Sequence, residues 1–201
     1  MQKKPKKNGM IKGVVVGLVL VCLVLGYYFY LSNKDRSKGD QDVKATLVQE
    51  TLMRNLEKNY PPTPKEVLKY YGQLTQCLYN ETYTDEEFRE LALQAQELYD
   101  DELVAAQTLT QYLGSLEWDV STFKDQEIVV SSFATSYSTD VDYFPADGFD
   151  WARLYGTFTL RKGTQLASSE EVFLMRKDSE GHWKIYGWML ASDMKNNAEN
   201  N

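Results

Sequence analysis

The stretch RKDSEGHWKIYGWML, residues 176–190, decides how this chain is read. Asp178 to Gly181 has turn chemistry, and the apolar, aromatic runs on either side read as the two strands of a hairpin. Strand neighbours point to opposite faces. Trp183 and Ile185 are therefore expected on the core face, with Lys184, Tyr186 and Trp188 on the other. In the run before the turn, Val172 and Leu174 point one way and Phe173 and Met175 the other. A sheet with one face on helices alternates more cleanly than this. The second face is thus expected either to line a dimer or partner contact or to be covered by the ends of a strongly curved sheet.

Two earlier runs, EIVVSSFATSY (127–137) and WARLYGTFTLRKG (151–163), share the enrichment in β-branched and aromatic residues and predict further strands of an antiparallel meander. Helical periodicity precedes them. Ala45, Val48, Leu52 and Leu56 repeat at helical spacing within 43–59. After YPPTP, Thr63 reads as an N-cap with Pro64 at the first helical position and Glu66 closing a capping box. Val67, Tyr71, Leu74 and Leu78 then share one face. Thr84 and Glu87 form a second box ahead of Phe88, Leu91, Ala92, Ala95, Leu98 and Tyr99. The strand pattern is expected to take over after about residue 115.

The run GVVVGLVLVCLVLGYYFYL, residues 13–31, holds no charge. As a helix it is roughly 29 Å long at about 1.5 Å per residue, enough for a bilayer's hydrocarbon core. A cleaved signal peptide needs small residues just beyond the apolar run, and this one ends in YYFYLSNKD. A lipoprotein signal needs a small residue before the cysteine, and Val21 precedes Cys22. An uncleaved anchor is the expectation. Lys3, Lys4, Lys6, Lys7 and Lys12 place the N-terminus on the cytoplasmic side, although Lys34, Arg36 and Lys38 weaken the contrast. Gly13 and Gly17 make one weak G-x-x-x-G step. The expected organisation is a basic tail (1–12), a single transmembrane helix (13–31), a flexible linker (32–42), an extracytoplasmic α+β domain (43–192) and a disordered tail (193–201).

Charge narrows the function. All 29 acidic residues lie beyond residue 32, against 17 of the 22 basic ones, so that part carries a net −12. Such a surface repels phosphate backbones and excludes nucleic acid as a partner of the domain. Cys22 and Cys77 make no stapling pair, and Cys77 falls at helical spacing with Tyr70 and Leu74 as a buried thiol. With His182 as the one histidine, a His-based metal cluster or a Ser-His-Asp triad has no material. Asn80–Thr82 matches the N-glycosylation pattern, which matters only in a eukaryotic secretory setting.

Helices followed by EIVVSSFATSY, WARLYGTFTLRKG and VFLMRKDSEGHWKIYGW resemble the nuclear transport factor 2-like, or cystatin-like, α+β superfamily. The resemblance spans 43–192 and is sharpest at Asp178–Ile185. It implies three helices packed on a curved antiparallel sheet. The chain is also similar to small, N-terminally membrane-anchored proteins of Gram-positive bacteria with no assigned activity. Some members of the superfamily are isomerases or dehydratases, with a pocket Asp or His as base and a Tyr as oxyanion donor. Others bind partners without chemistry, including membrane-anchored envelope scaffolds.

An acid–base set would have to come from Asp119, Asp140 or Asp142, near expected strand ends, with Tyr143 following Asp142 and Tyr112 or Tyr137 supplying a hydroxyl; a solvated or turn-capping role is the plainer one. Trp118, Phe158, Trp183, Tyr186 and Trp188 are the candidate pocket or interface residues, with core packing as their plainer role. The expected function is a membrane-anchored, extracytoplasmic interaction or scaffold module, without catalysis, cofactor or metal, meeting a second copy or an envelope protein. A small-ligand pocket is the alternative. The short linker, with a root-mean-square reach of roughly 17–20 Å, would hold the domain near the bilayer.

Overall fold

The computed structural model describes residues 46–194. They belong to the second of two units into which the chain divides, Met1–Lys44 and Ala45–Asn201. The expected tail, anchor and linker, and residues 195–201, lie outside the described residues. Among the described residues no helix is long and apolar enough to cross a membrane.

Among the described residues the fold is α+β, with five named α-helices and a five-stranded antiparallel sheet. The helices are α1 (Leu47–Leu52), α2 (Pro64–Asn80), α3 (Asp85–Gln96), α4 (Asp101–Ala105) and α5 (Leu109–Asp125). The strands are β1 (Ile128–Thr135), β2 (Asp142–Ala146), β3 (Phe149–Lys162), β4 (Gln165–Lys177) and β5 (Trp183–Leu190). Their order is β1-β3-β4-β5, with β2 also paired to β3. A short helical turn, 191–194, follows β5.

Helix starts follow side-chain capping. Thr84 and Glu87 form the expected reciprocal box on α3, and Thr63 accepts from the Glu66 N–H at the start of α2. The helix expected over 43–59 is shorter. It begins after Thr46, which boxes with Gln49, and ends near Leu52. Asn55 Oδ1 then accepts from the Lys58 N–H at 2.9 Å, a local bond that competes with helix continuation. Strand structure does not begin near residue 115. Thr108 and Gln111 box the start of α5, which carries Trp118 and Asp119 on a helix. The DG turn at Asp147–Gly148, both at positive φ, makes the unexpected β2–β3 hairpin.

The core lies between the helices and one sheet face. Val67, Leu68, Leu74 and Leu78 of α2 and Leu91 and Ala95 of α3 meet Ala152, Leu154, Phe158, Phe173, Met175, Trp183 and Ile185. Helix α2 comes close to the sheet at Gly72, where a Cβ would overlap the Phe133 ring. At the sheet edge, Asn80 stands in for a missing strand. Its amide accepts from the Val130 N–H and donates to the Val130 carbonyl, each at 2.8 Å. A glycan on that nitrogen would break the pair, so Asn80–Thr82 is a structural feature here.

β5 is fastened at the other edge. The Ile185 N–H donates to the Leu98 carbonyl at 2.8 Å, and the Asp100 N–H donates to the Ile185 carbonyl at 2.9 Å. Asp100, 4% exposed, caps α4 and forms a bidentate pair with Arg176 of β4 at 2.5 and 2.9 Å. One residue later the β4–β5 register slips. Met175 faces Ile185 but Leu174 faces Gly187, leaving Tyr186 as the extra residue of a β-bulge. The bulge reverses the parity expected from alternation. Trp188 pairs with Phe173 on the helix-facing side, and does not share Tyr186's face.

Replacing Asp100 with Ala leaves Arg176 with a side chain 13% exposed and no bidentate partner. Glu102 still accepts from Arg176, so we expect a loss of about 1.5–3 kcal/mol of unfolding free energy, that of charge-assisted hydrogen bonds removed. A denaturant titration measures it, and a loss below about 1 kcal/mol would match a surface pair instead.

Candidate interaction surface

The two sheet faces differ in what covers them. On the helix-facing side, the bulge seats Trp188 against Phe173, Tyr71 and Tyr99, with ring centroids 6.0, 6.0 and 5.8 Å away. Tyr99 continues the cluster to Tyr112 at 6.1 Å, whose hydroxyl donates to the Ala92 carbonyl at 3.0 Å. Burial pushes the Tyr71, Tyr99 and Tyr112 hydroxyls well above the usual phenol range, so they stay neutral donors. The rings touch one another and fill this side of the sheet.

Among the described residues, the other face is reached only by the start of α4 and the turn at 191–194. Cross-strand register places Trp151, Arg153, Leu174, Val172, Arg176 and Met189 there, with Phe144 from β2. Arg176 closes one end. Its guanidinium lies 4.6, 5.6 and 5.1 Å from the rings of Phe149, Trp151 and Tyr186. Asp100 holds it from behind, and Glu102 accepts from it at 2.8 Å and from the Tyr186 hydroxyl at 3.0 Å. The bonds from Arg176 and Tyr186 hold the Glu102 carboxyl below its usual range.

Beyond Tyr186 the face is open. A groove of about 470 Å³ runs between Phe144, Val172, Leu174, Tyr186, Met189 and Met194. Its walls are almost wholly apolar. Arg153 sits at the rim, paired to Asp142 at 2.5 Å. This geometry accepts apolar side chains; it offers no buried base or nucleophile.

The candidate residues scatter over these two faces. Tyr186 and Trp188 are both among the residues that line the groove. Trp183 and Phe158 are core residues, each 8% exposed, and Trp118 stands 68% exposed on α5, away from any mouth between helices and sheet. Asp119 and Asp140 are exposed, Tyr137 and Tyr143 are largely exposed, and Tyr112 is buried with its hydroxyl committed. The structure does not bring them together as an acid–base set. Sequence reasoning missed Phe144, Arg153, Met189 and Met194. The PADG turn signal marks the hairpin that delivers Phe144 and Arg153. His182 stacks on Tyr60 at 4.3 Å, and Cys77 is buried 3.2 Å from the Thr51 hydroxyl. Among the described residues no three His, Cys, Asp or Glu side chains gather as a metal site.

Glu171, beside Leu190 on the helix-facing side, is half-buried and has no ion-pair partner among the described residues. Desolvation raises its pKa. A carboxyl whose folded pKa is raised stabilises the fold when protonated and loses that contribution as pH rises through the folded value. Glu171→Gln should therefore raise the unfolding midpoint at neutral pH and leave it unchanged near pH 3, below about 4.3, the ordinary Glu value. Denaturant titrations at the two pH values check this.

Residues 1–188 match the model of a family described as a domain of unknown function, DUF6715. No curated protein is significantly similar to the chain.

Proposed function

This chain belongs to the DUF6715 family, and we propose that it is a membrane-anchored interaction module acting without catalysis outside the cytoplasmic membrane. The apolar groove on the uncovered sheet face is the observation that carries this reading. Helices bury one face of the sheet, whereas Met189, on the other face, remains 48% exposed as a wall of the groove. An apolar patch left open beside a charged rim is how a docking surface for another polypeptide is built. The uncharged run 13–31 supplies the anchor, and the lysines before it set the orientation. The order of helices and sheet supports a nuclear transport factor 2-like cone. A small-ligand site is the second reading, favoured by the groove's volume. It needs convergent polar groups, and Arg153, the charged rim residue, is already held by Asp142.

A photo-reactive residue at Met194 of the full chain, activated in spheroplasts, tests the reading. A discrete protein adduct is expected that external protease digests and that the exposed substitution Met189→Asp abolishes. An adduct insensitive to Met189→Asp would overturn the groove as the interaction surface. Protection from protease would overturn the orientation.

A further inference from the structure

We propose that the open end of β5 captures an extended, lysine-flanked polypeptide segment by strand addition. In this mode the segment pairs with the backbone of Trp188 and Leu190 and sets alternate side chains into the groove. The proposal rests on the interaction reading above and specifies its partner.

β5 is an edge strand, and the chain itself shows how that edge is used. Ile185 turns both backbone groups outward to Leu98 and Asp100, and Tyr99 and Ile185 form a parallel bridge. At Ile185 the edge is thus already engaged by residues 98–100 through one isolated bridge. Alternation along the ladder fixes the second half. Because Ile185 points outward, its pairing with Met175 is a non-hydrogen-bonded one. Past the bulge Leu174–Gly187 is the bonded pair, and Phe173–Trp188 is again non-bonded. The N–H and C=O of Trp188 and the N–H of Leu190 therefore point away from β4. Among the described residues no backbone group outside β5 and its following turn pairs with them.

Open edges are ordinarily blunted by lysine, proline or a bulge. Here the bulge lies before the open part, and the residues after it are Trp188, Met189 and Leu190, all large and 42–48% exposed. Met189 is also a wall of the groove. A strand laid beside it would project every second side chain onto the same face, next to Met189 and across β5 from Val172 and Leu174.

Charge selects the occupant. Glu171 stands opposite Leu190 at the end of the open segment and Glu170 precedes it on β4, neither with an ion-pair partner among the described residues, whereas Arg153 and Arg176 are satisfied internally. The part of the chain beyond residue 32 carries a net −12, so a second copy would bring like charge to the same edge. A segment with lysines flanking a short apolar strand fits both the edge and the carboxylates.

The test uses the full chain in detergent micelles and the peptide KKVTVTVKK as probe. Two further forms carry N-methyl groups on every valine or on every threonine, and a third replaces the lysines with glutamates. The unmodified peptide should bind and slow hydrogen exchange at the Trp188 and Leu190 amides. One N-methylated form should lose affinity by at least about tenfold, since the edge it blocks leaves backbone groups unpaired, while the other stays within about twofold. The glutamate form and Leu190→Pro should each cost at least about tenfold, the variant with an unchanged unfolding midpoint. Equal binding by both N-methylated forms, without amide protection, overturns strand addition but leaves the groove as the interaction surface. No binding of the lysine peptide overturns the proposal. So does a peptide-free dimer with protected Trp188 and Leu190 amides, which would make the occupant a second copy.

Discussion

The outward turn of Ile185 onto residues 98–100 is the constraint on which the arrangement of this domain depends. By committing both backbone groups of Ile185 to Leu98 and Asp100, the chain fixes the register of β5 up to that point. The extra residue, Tyr186, follows at once. A bulge in a two-sided apolar strand exchanges which residues face the core. Without it, Trp188 would join Tyr186 over the uncovered face and fill the groove. With it, Trp188 closes the aromatic cluster with Tyr71, Tyr99 and Phe173, and the space beside Met189 and Leu174 stays open. One inserted residue thus supports both a filled helix-side interior and an exposed apolar surface.

Arg176 joins the two consequences. Asp100 and Glu102 reach it from the segment that fastens Ile185, and Phe149, Trp151 and Tyr186 surround its guanidinium on the sheet. The planar fork satisfies both carboxylates while its face lies against the rings, a combination an ammonium group cannot make. The network seals the groove on one side and keeps Tyr186 upright as its end wall. At the opposite edge, Asn80 completes β1 through Val130. Both edges of the sheet are therefore partly paired from within, and the stretch after the bulge is where a partner can add.

Much of the fold was legible because local signals agreed with it. The Asp178–Gly181 turn forms as its residues demand: Asp178 Oδ1 accepts from the Glu180 and His182 N–H groups, and Gly181 adopts positive φ. Thr84 with Glu87, and the apolar faces of α2 and α3, were equally direct. The two-sided apolar pattern of β4 correctly marked a second face with apolar character. What could not be read depends on distant contacts. Alternation predicts the face of Trp188 only while the ladder stays regular, and nothing within residues 183–190 announces that Ile185 will pair with residues 98–100. Other features were signalled locally and overlooked. TLVQ, TLTQ and PADG are two capping boxes and a hairpin turn, and they mark α1, α5 and β2 as clearly as the signals that were used.

The account turns on where the bulge sends Trp188, and the direct test is a nuclear Overhauser measurement on the folded protein with assigned aromatic rings. The structure predicts cross-peaks from the Trp188 indole to the rings of Tyr71, Tyr99 and Phe173. Cross-peaks from that indole to Phe144 and Leu174, with none to Tyr71 or Tyr99, would place Trp188 in the groove and contradict the account.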